Sequence, residues 1–215
     1  LTITGQGATN SIQAPVTVTG AFTITTNANY GSGRVNLNGP VGTTINAGSL
    51  SFTAGTGIFI NGYTINTTGN QTYNVSGQGG IISSGPVTIA GGDVALTSSG
   101  GSISFLQNGV LGTLQGDGVS PRNLSIIGAN GVVIGTQVGN INPLNSLTVT
   151  GLATLNGRAT AINTLNDQSY NGGISLGVNT SLTSLSGGDI SFGTNLAPAT
   201  INSARSLTIN AGVSS

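Results

Sequence analysis

Ser49-Leu50-Ser51-Phe52-Thr53 and Ser146-Leu147-Thr148-Val149-Thr150 carry one pattern 97 residues apart: an apolar residue at every second position, with Ser or Thr between. Period-two alternation sends successive side chains to opposite faces of an extended chain, so each stretch reads as a half-buried strand. The β-branched Thr and Val suit a pleated sheet and disfavour helix. The same offset lays Val41-Gly42 on Val138-Gly139, Ile65-Asn66-Thr67 on Ile162-Asn163-Thr164, and Gln71-Thr72-Tyr73-Asn74 on Gln168-Ser169-Tyr170-Asn171. Matches at one offset define a weak internal repeat, about 41–74 on 138–171.

Shorter echoes subdivide it. The signature Leu-[Ser/Thr]-[Ile/Phe/Val] begins at Leu1, Leu50, Leu124, Leu147 and Leu207, at intervals of 49, 74, 23 and 60 residues. The first three are near multiples of 24 or 25; the last is not. Leu96–Phe105 also resembles Leu182–Phe192 with one residue inserted. Gly, Asn and Ser fill the gaps between runs, as in Gly79-Gly80, Ser99-Gly100-Gly101 and Gly187-Gly188, and are read as turn residues that accept positive φ. One strand motif at variable multiples of a short unit is what a coil with irregular turns leaves behind. The expected fold is therefore all-β, a parallel β-helix (β-solenoid) formed by residues 1–215 as one segment. Strands stack about 4.8 Å apart, and each coil is sheltered by its neighbours. At roughly 20–25 residues per coil, about 9–11 coils make a rod on the order of 45–50 Å long. Asn at the turns is expected to form hydrogen-bonded ladders. The alternative is tandem β-sandwich modules, because 97 residues is close to one immunoglobulin-like domain.

Composition narrows function. The 215 residues include 37 Gly, four Arg, four Asp, and no Lys, Glu, His, Cys, Met or Trp. Zero net charge without a basic cluster lacks the footprint of nucleic-acid binding. Absence of Cys and His removes thiolate nucleophiles, disulfides, ordinary zinc sites and imidazole chemistry. No apolar run reaches the roughly 18–20 residues of a membrane-spanning helix. Leu1-Thr2-Ile3-Thr4-Gly5 lacks the basic flank and apolar run of a signal peptide. With 36% hydrophobic residues and no net charge, the chain is not one that charge repulsion keeps unfolded.

Several runs resemble the β-strand repeats of giant bacterial surface proteins, the filamentous-haemagglutinin and autotransporter-adhesin type. These are Val138-Gly139, Pro143–Gly151, Gln168–Gly172, Gly188–Phe192 and Ser206–Gly212. The likeness is clearest over 136–212 and recurs more faintly over 39–105. It implies a secreted, right-handed parallel β-helix used as a stalk or adhesive fibre at a bacterial surface. The motifs are repeat motifs, so they carry no functional residue across.

Candidate sites are few. Asp93, Asp117, Asp167 and Asp189 are the chain's carboxylates; no two are close in sequence, and each is read as a turn residue capping backbone N–H groups rather than as an acid, base or metal ligand. Tyr63, Tyr73 and Tyr170 are weighed as sugar-stacking residues against part-buried tyrosines with the hydroxyl at a coil edge. Asn66, Asn70, Asn74, Asn123 and Asn179 start glycosylation sequons of the kind so Asn- and Thr-rich a composition generates. Thr2/Thr4, Thr17/Thr19, Thr23/Thr25 and Thr148/Thr150 raise an ice-binding array, which needs such pairs in register; their intervals are irregular. No catalytic, cofactor-binding or metal-binding residues are assigned. The expected function is a non-enzymatic structural segment of an extracellular fibre or adhesin. Its partners are further coils of a longer chain or copies of itself, with no nucleic acid and no membrane-spanning segment. A carbohydrate-binding adhesin module, with surface glycans as partners, is the alternative. A polysaccharide-active enzyme and an ice-binding protein stand behind it.

Overall fold

The structure is a computed structural model. It describes residues 1–5, 9–26, 33–84, 87–89, 91–105, 113–194, 197–198 and 200–212. Among them there is no helix; short strands fall into three sheets. Sheet A stacks Thr2–Gly5, Ala21–Thr26, Ser49–Ala54, Gln71–Val75, Val94–Ser98, Asn123–Gly128, Ser146–Thr150, Gln168–Tyr170 and Ile190–Thr194. Sheet B starts with Thr9–Ile12, Arg34–Ala47 and Gly57–Thr67 and ends with Ile174–Leu176 and Ile201–Ser203. Sheet C holds Val87–Ile89, Thr113–Gly116, Gln137–Val138, Ala161–Thr164, Thr180–Ser184 and Leu207–Asn210. Strand pairs are parallel, except where Gly193 and Thr194 meet Pro198 and Ala197 in antiparallel register. The chain passes from A to B to C and returns to A one level up, a β-solenoid of about 8 turns. Lower coils close their third side differently: the long strands Arg34–Ala47 and Gly57–Thr67 bend round it, with four residues, 39–42, set against Gly62 at the bend.

Alternation puts every second side chain inside. Ile3, Ile24, Phe52, Tyr73, Leu96, Ile126, Val149, Tyr170 and Phe192 occupy one register column through sheet A. Its interior members from Ile24 to Tyr170 are buried, whereas Ile3 and Phe192 at the two ends are only partly covered. Phe22, Phe52 and Tyr73 pack edge to face, with centroids 5.5 and 5.7 Å apart. Tyr170 stacks on Phe192 at 5.7 Å. Both arrangements add to the burial itself, which stabilises by roughly 25 cal/mol per Å² of apolar surface.

This column explains the sequence intervals. Tyr73 and Tyr170, 97 residues apart, are separated by four coils. Leu50 and Leu124 are three coils apart, and Leu124 and Leu147 one. Leu207 breaks the series because it lies on sheet C, paired with Thr180. The Leu96–Phe105 echo is likewise not structural, since Leu96 is on sheet A and Leu182 on sheet C. Sandwich modules are excluded, since a sandwich is built from antiparallel sheets. The turn count falls below the expected 9–11: the eight register steps span only Ile3 to Phe192, and two of those coils are long, 28 residues from Ile24 to Phe52 and 30 from Leu96 to Ile126. At about 4.8 Å per step, 8 turns rise about 40 Å.

Of the paired glycines, Gly187 takes the positive φ expected of a turn residue, at 81°, but the pairs at 79–80 and 100–101 do not. Gly79, Gly80, Gly100 and Gly101 are outside the positive-φ set. A Cβ on Gly79 would lie 1.4 Å from the Thr56 carbonyl oxygen, and one on Gly101 would lie 1.9 Å from that of Gly79. Successive coils touch backbone to backbone at this corner, and glycine is needed for lack of space.

Candidate functional site

Inside the solenoid, the 97-residue repeat has a chemical meaning. The Tyr73 hydroxyl donates to Gln71 Oε1 at 2.9 Å, and Gln71 Nε2 donates to Thr67 Oγ1 at 3.2 Å. The Tyr170 hydroxyl, Gln168 and Thr164 repeat both bonds at 2.9 and 3.2 Å. Thr67 and Thr164 then donate to the carbonyls of Gly69 and Asn166, both at 2.6 Å. All six side chains are buried. Gln71 and Gln168 sit in the inward column that Leu50, Val94, Leu124 and Leu147 fill elsewhere. A buried glutamine is tolerated only when its amide is paired, and the Thr-x-x-x-Gln-x-Tyr spacing supplies the partners. Burial pushes the Tyr73 and Tyr170 phenols well above the ordinary tyrosine range.

That burial removes these tyrosines as sugar-stacking residues. Tyr63 is buried too, its hydroxyl donating to the Ala14 carbonyl at 3.2 Å. The expected position with the hydroxyl at a coil edge therefore fails for Tyr73 and Tyr170, whose hydroxyls are satisfied inside.

Three of the carboxylates accept from backbone N–H groups, two of them across neighbouring coils and one within its own turn. Asp93 accepts from the Asn123 N–H at 2.9 Å and from its side-chain amide at 3.0 Å. Asp167 accepts from the Asp189 N–H at 2.9 Å. Stacking thus brings Asp167 and Asp189 onto adjacent coils, while Asp93 stands below Asn123. Asp117 closes a turn by accepting from Val119 and Ser120 at 2.9 and 3.0 Å. Its partial burial raises its pKa, but backbone N–H groups of Ser120, Val119 and Gly91 and the Arg122 charge outweigh that and hold it below the ordinary value. Among the described residues no three His, Cys, Asp or Glu stand together. Asparagine ladders do form: Asn166 donates to Asn145 and Asn145 to Asn123, each at 2.7 Å. Sequon residue Asn66 donates to Asn46 at 3.0 Å in the same manner.

The outward face of sheet A carries hydroxyls in register. Thr2 and Thr4 pair with Thr23 and Thr25, which pair with Ser51 and Thr53. Irregular chain intervals therefore did not argue against stacking, because coil length varies while register does not. Above these coils the two columns change to Thr72 and Asn74, Ala95 and Thr97, then Ser125 and Ile127. Thr148/Thr150 stands between Ser125/Ile127 and Ser169 rather than in a threonine array, and Thr17 pairs with Asn46 away from this face.

A groove of about 340 Å³ opens on the outward side of sheet B, lined by Arg34, Asn36, Asn38, Phe59, Asn61, Ile82 and Ser84 among others. Phe59 is the described aromatic that faces outward from the middle of the coil, between Asn36 below and Ile82 above. The Arg34 guanidinium carbon lies 5.6 Å from its ring centroid, within cation–π range. Ser84 Oγ donates to Asn61 Oδ1 at 3.0 Å, and Asn61 Nδ2 to Asn38 Oδ1 at 3.1 Å. None of these residues stood out in the sequence, because their proximity arises from three coils in register. The available signal was parity: Phe59 sits out of phase with inward Ile58 and Ile60. Among the described residues no helix is long and apolar enough to cross a membrane. Comparison of the chain with protein-family models, curated proteins and solved structures found no match.

Proposed function

We propose that this chain is a non-enzymatic structural segment of an extracellular or cell-surface fibre, in which coils stack on further coils. One observation carries the reading: both ends of the stack leave the interior columns uncovered. Ile3, Ile12, Val16 and Val18 are partly buried at one end, and Ile190, Phe192 and Leu207 at the other. Ile201 and Ile209, in the last strands of sheets B and C, are 47% and 48% exposed. Open strand edges beside apolar surface are templates for pairing. The occupant they fit is another coil of the same kind, supplied by a second copy. The resemblance to surface-protein repeats supports the same reading.

End-to-end stacking is heterologous, top against bottom, so copies grow into open filaments rather than closed dimers. The wild-type chain should show a sedimentation-average mass that rises with concentration, and rods by electron microscopy. Ile3→Lys and Ile209→Lys each spoil one end and should each stop growth. Mixed together they should form dimers through their two intact ends and go no further. A wild-type chain that stays monomeric at high concentration, or single variants that still polymerise, would overturn the proposal.

A further inference from the structure

We propose that the sheet B groove binds an acidic saccharide, a sugar bearing a carboxylate. Its size falls in the range of small-molecule sites, roughly 300–1,000 Å³. Three features select the ligand. Phe59 and Ile82 give an apolar floor at adjacent register positions, suited to the C–H face of a pyranose. The amide ladder is polarised: Ser84 donates to Asn61 and Asn61 to Asn38, so the Asn38 oxygen is occupied and this exposed groove residue offers its amide as a donor. Asn36 adds a second amide beside Phe59. Arg34 is exposed, and it is the charged residue of a lining that includes no carboxylate. An arginine held beside an aromatic ring, with amides in the same lining and no acid among them, is complementary to a carboxylate. A neutral sugar would leave that charge unused, and a cation would be repelled by it. Gly57 makes room for the arrangement: a Cβ there would lie 2.9 Å from Phe59 Cε2, so the ring settles over the glycine beside Arg34.

This site does not depend on the fibre reading; a monomer holds the whole groove. The test is a titration of isotope-labelled protein followed by amide NMR. The probes are tetrasaccharides of galacturonate, glucuronate and sialic acid, with a neutral galactose tetrasaccharide alongside. At least one acidic probe should give saturable shifts centred on residues 34–38, 59–61 and 82–84, with the neutral sugar weaker by about tenfold or more, the effect of one charge-assisted pair. Arg34→Gln should lower affinity for the acidic probe about tenfold, and Phe59→Ala by a similar factor, while Arg158→Gln, which removes an exposed charge elsewhere, should leave it unchanged. Phe59→Leu, which keeps an apolar floor, serves if Phe59→Ala loses its dispersed spectrum. No saturable binding of any acidic probe, equal binding of the neutral sugar, or equal weakening by Arg34→Gln and Arg158→Gln would overturn the assignment.

Discussion

Val149→Asp should leave the protein unfolded at room temperature, while Thr148→Asp, one residue away, should cost about 1 kcal/mol or less. Val149 is fully buried in the column between Ile126 and Tyr170. A carboxylate there has apolar neighbours above and below, and burying an unpaired charge costs several kcal/mol even after relaxation. A domain of this size is stable by only about 5–15 kcal/mol in total, and each coil depends on the next, so the loss spreads. Thr148 lies on the outward face between Ser125 and Ser169. An aspartate there keeps its hydration and forfeits only strand propensity. Circular dichroism with urea titration of both variants reads the contrast. Similar losses in the two would mean that the two faces of the strand are not inside and outside.

Gly79→Ala should destabilise by about 3 kcal/mol or more, although it adds one methyl group at a corner. The obstruction is backbone, the Thr56 carbonyl oxygen at 1.4 Å and its carbon at 2.2 Å. A side chain can rotate away; a strand corner locked into the coil below can move only by separating coils, so the overpacking cost sits at or above the usual 1–3 kcal/mol. Gly42→Ala is the informative comparison. Gly42 has a φ of 92° and nothing within 4 Å of a Cβ, so alanine there meets conformational strain alone, roughly 1–2 kcal/mol. Thermal unfolding of both variants should rank Gly79→Ala well below Gly42→Ala. The reverse order would show that the paired glycines serve turn geometry after all.

These two cases mark what was legible in the sequence. Period-two alternation exposed the strands, and the Leu50, Leu124 and Leu147 spacings exposed the coil, because both are properties of neighbouring residues or of one face. The number of coils was not legible: 28- and 30-residue coils hide inside the average. Gly79 looked like a turn residue because the obstruction is Thr56, a full coil earlier. Gln71 and Tyr73 were visible as a repeated motif, but not as a buried hydrogen-bonded unit, although their shared parity with Phe52 and Leu96 points them inward. The threonine columns and the Phe59 groove needed register, which depends on where the long coils fall. The candidate site is therefore not legible in the sequence, whose visible aromatic motif, Tyr73 and Tyr170, is consumed by the core.

Parallel stacking in register is tested most directly by placing nitroxide spin labels on successive coils. The chain has no cysteine, so Ser125→Cys, Thr148→Cys and Ser169→Cys provide the only attachment points, three register partners on the outward face of sheet A. At about 4.8 Å between strands, the three labels should exchange spins and merge the usual three-line spectrum into one broad line. A folded, fully labelled protein that keeps three sharp, separate lines would show that these residues are not stacked, and the solenoid would be wrong.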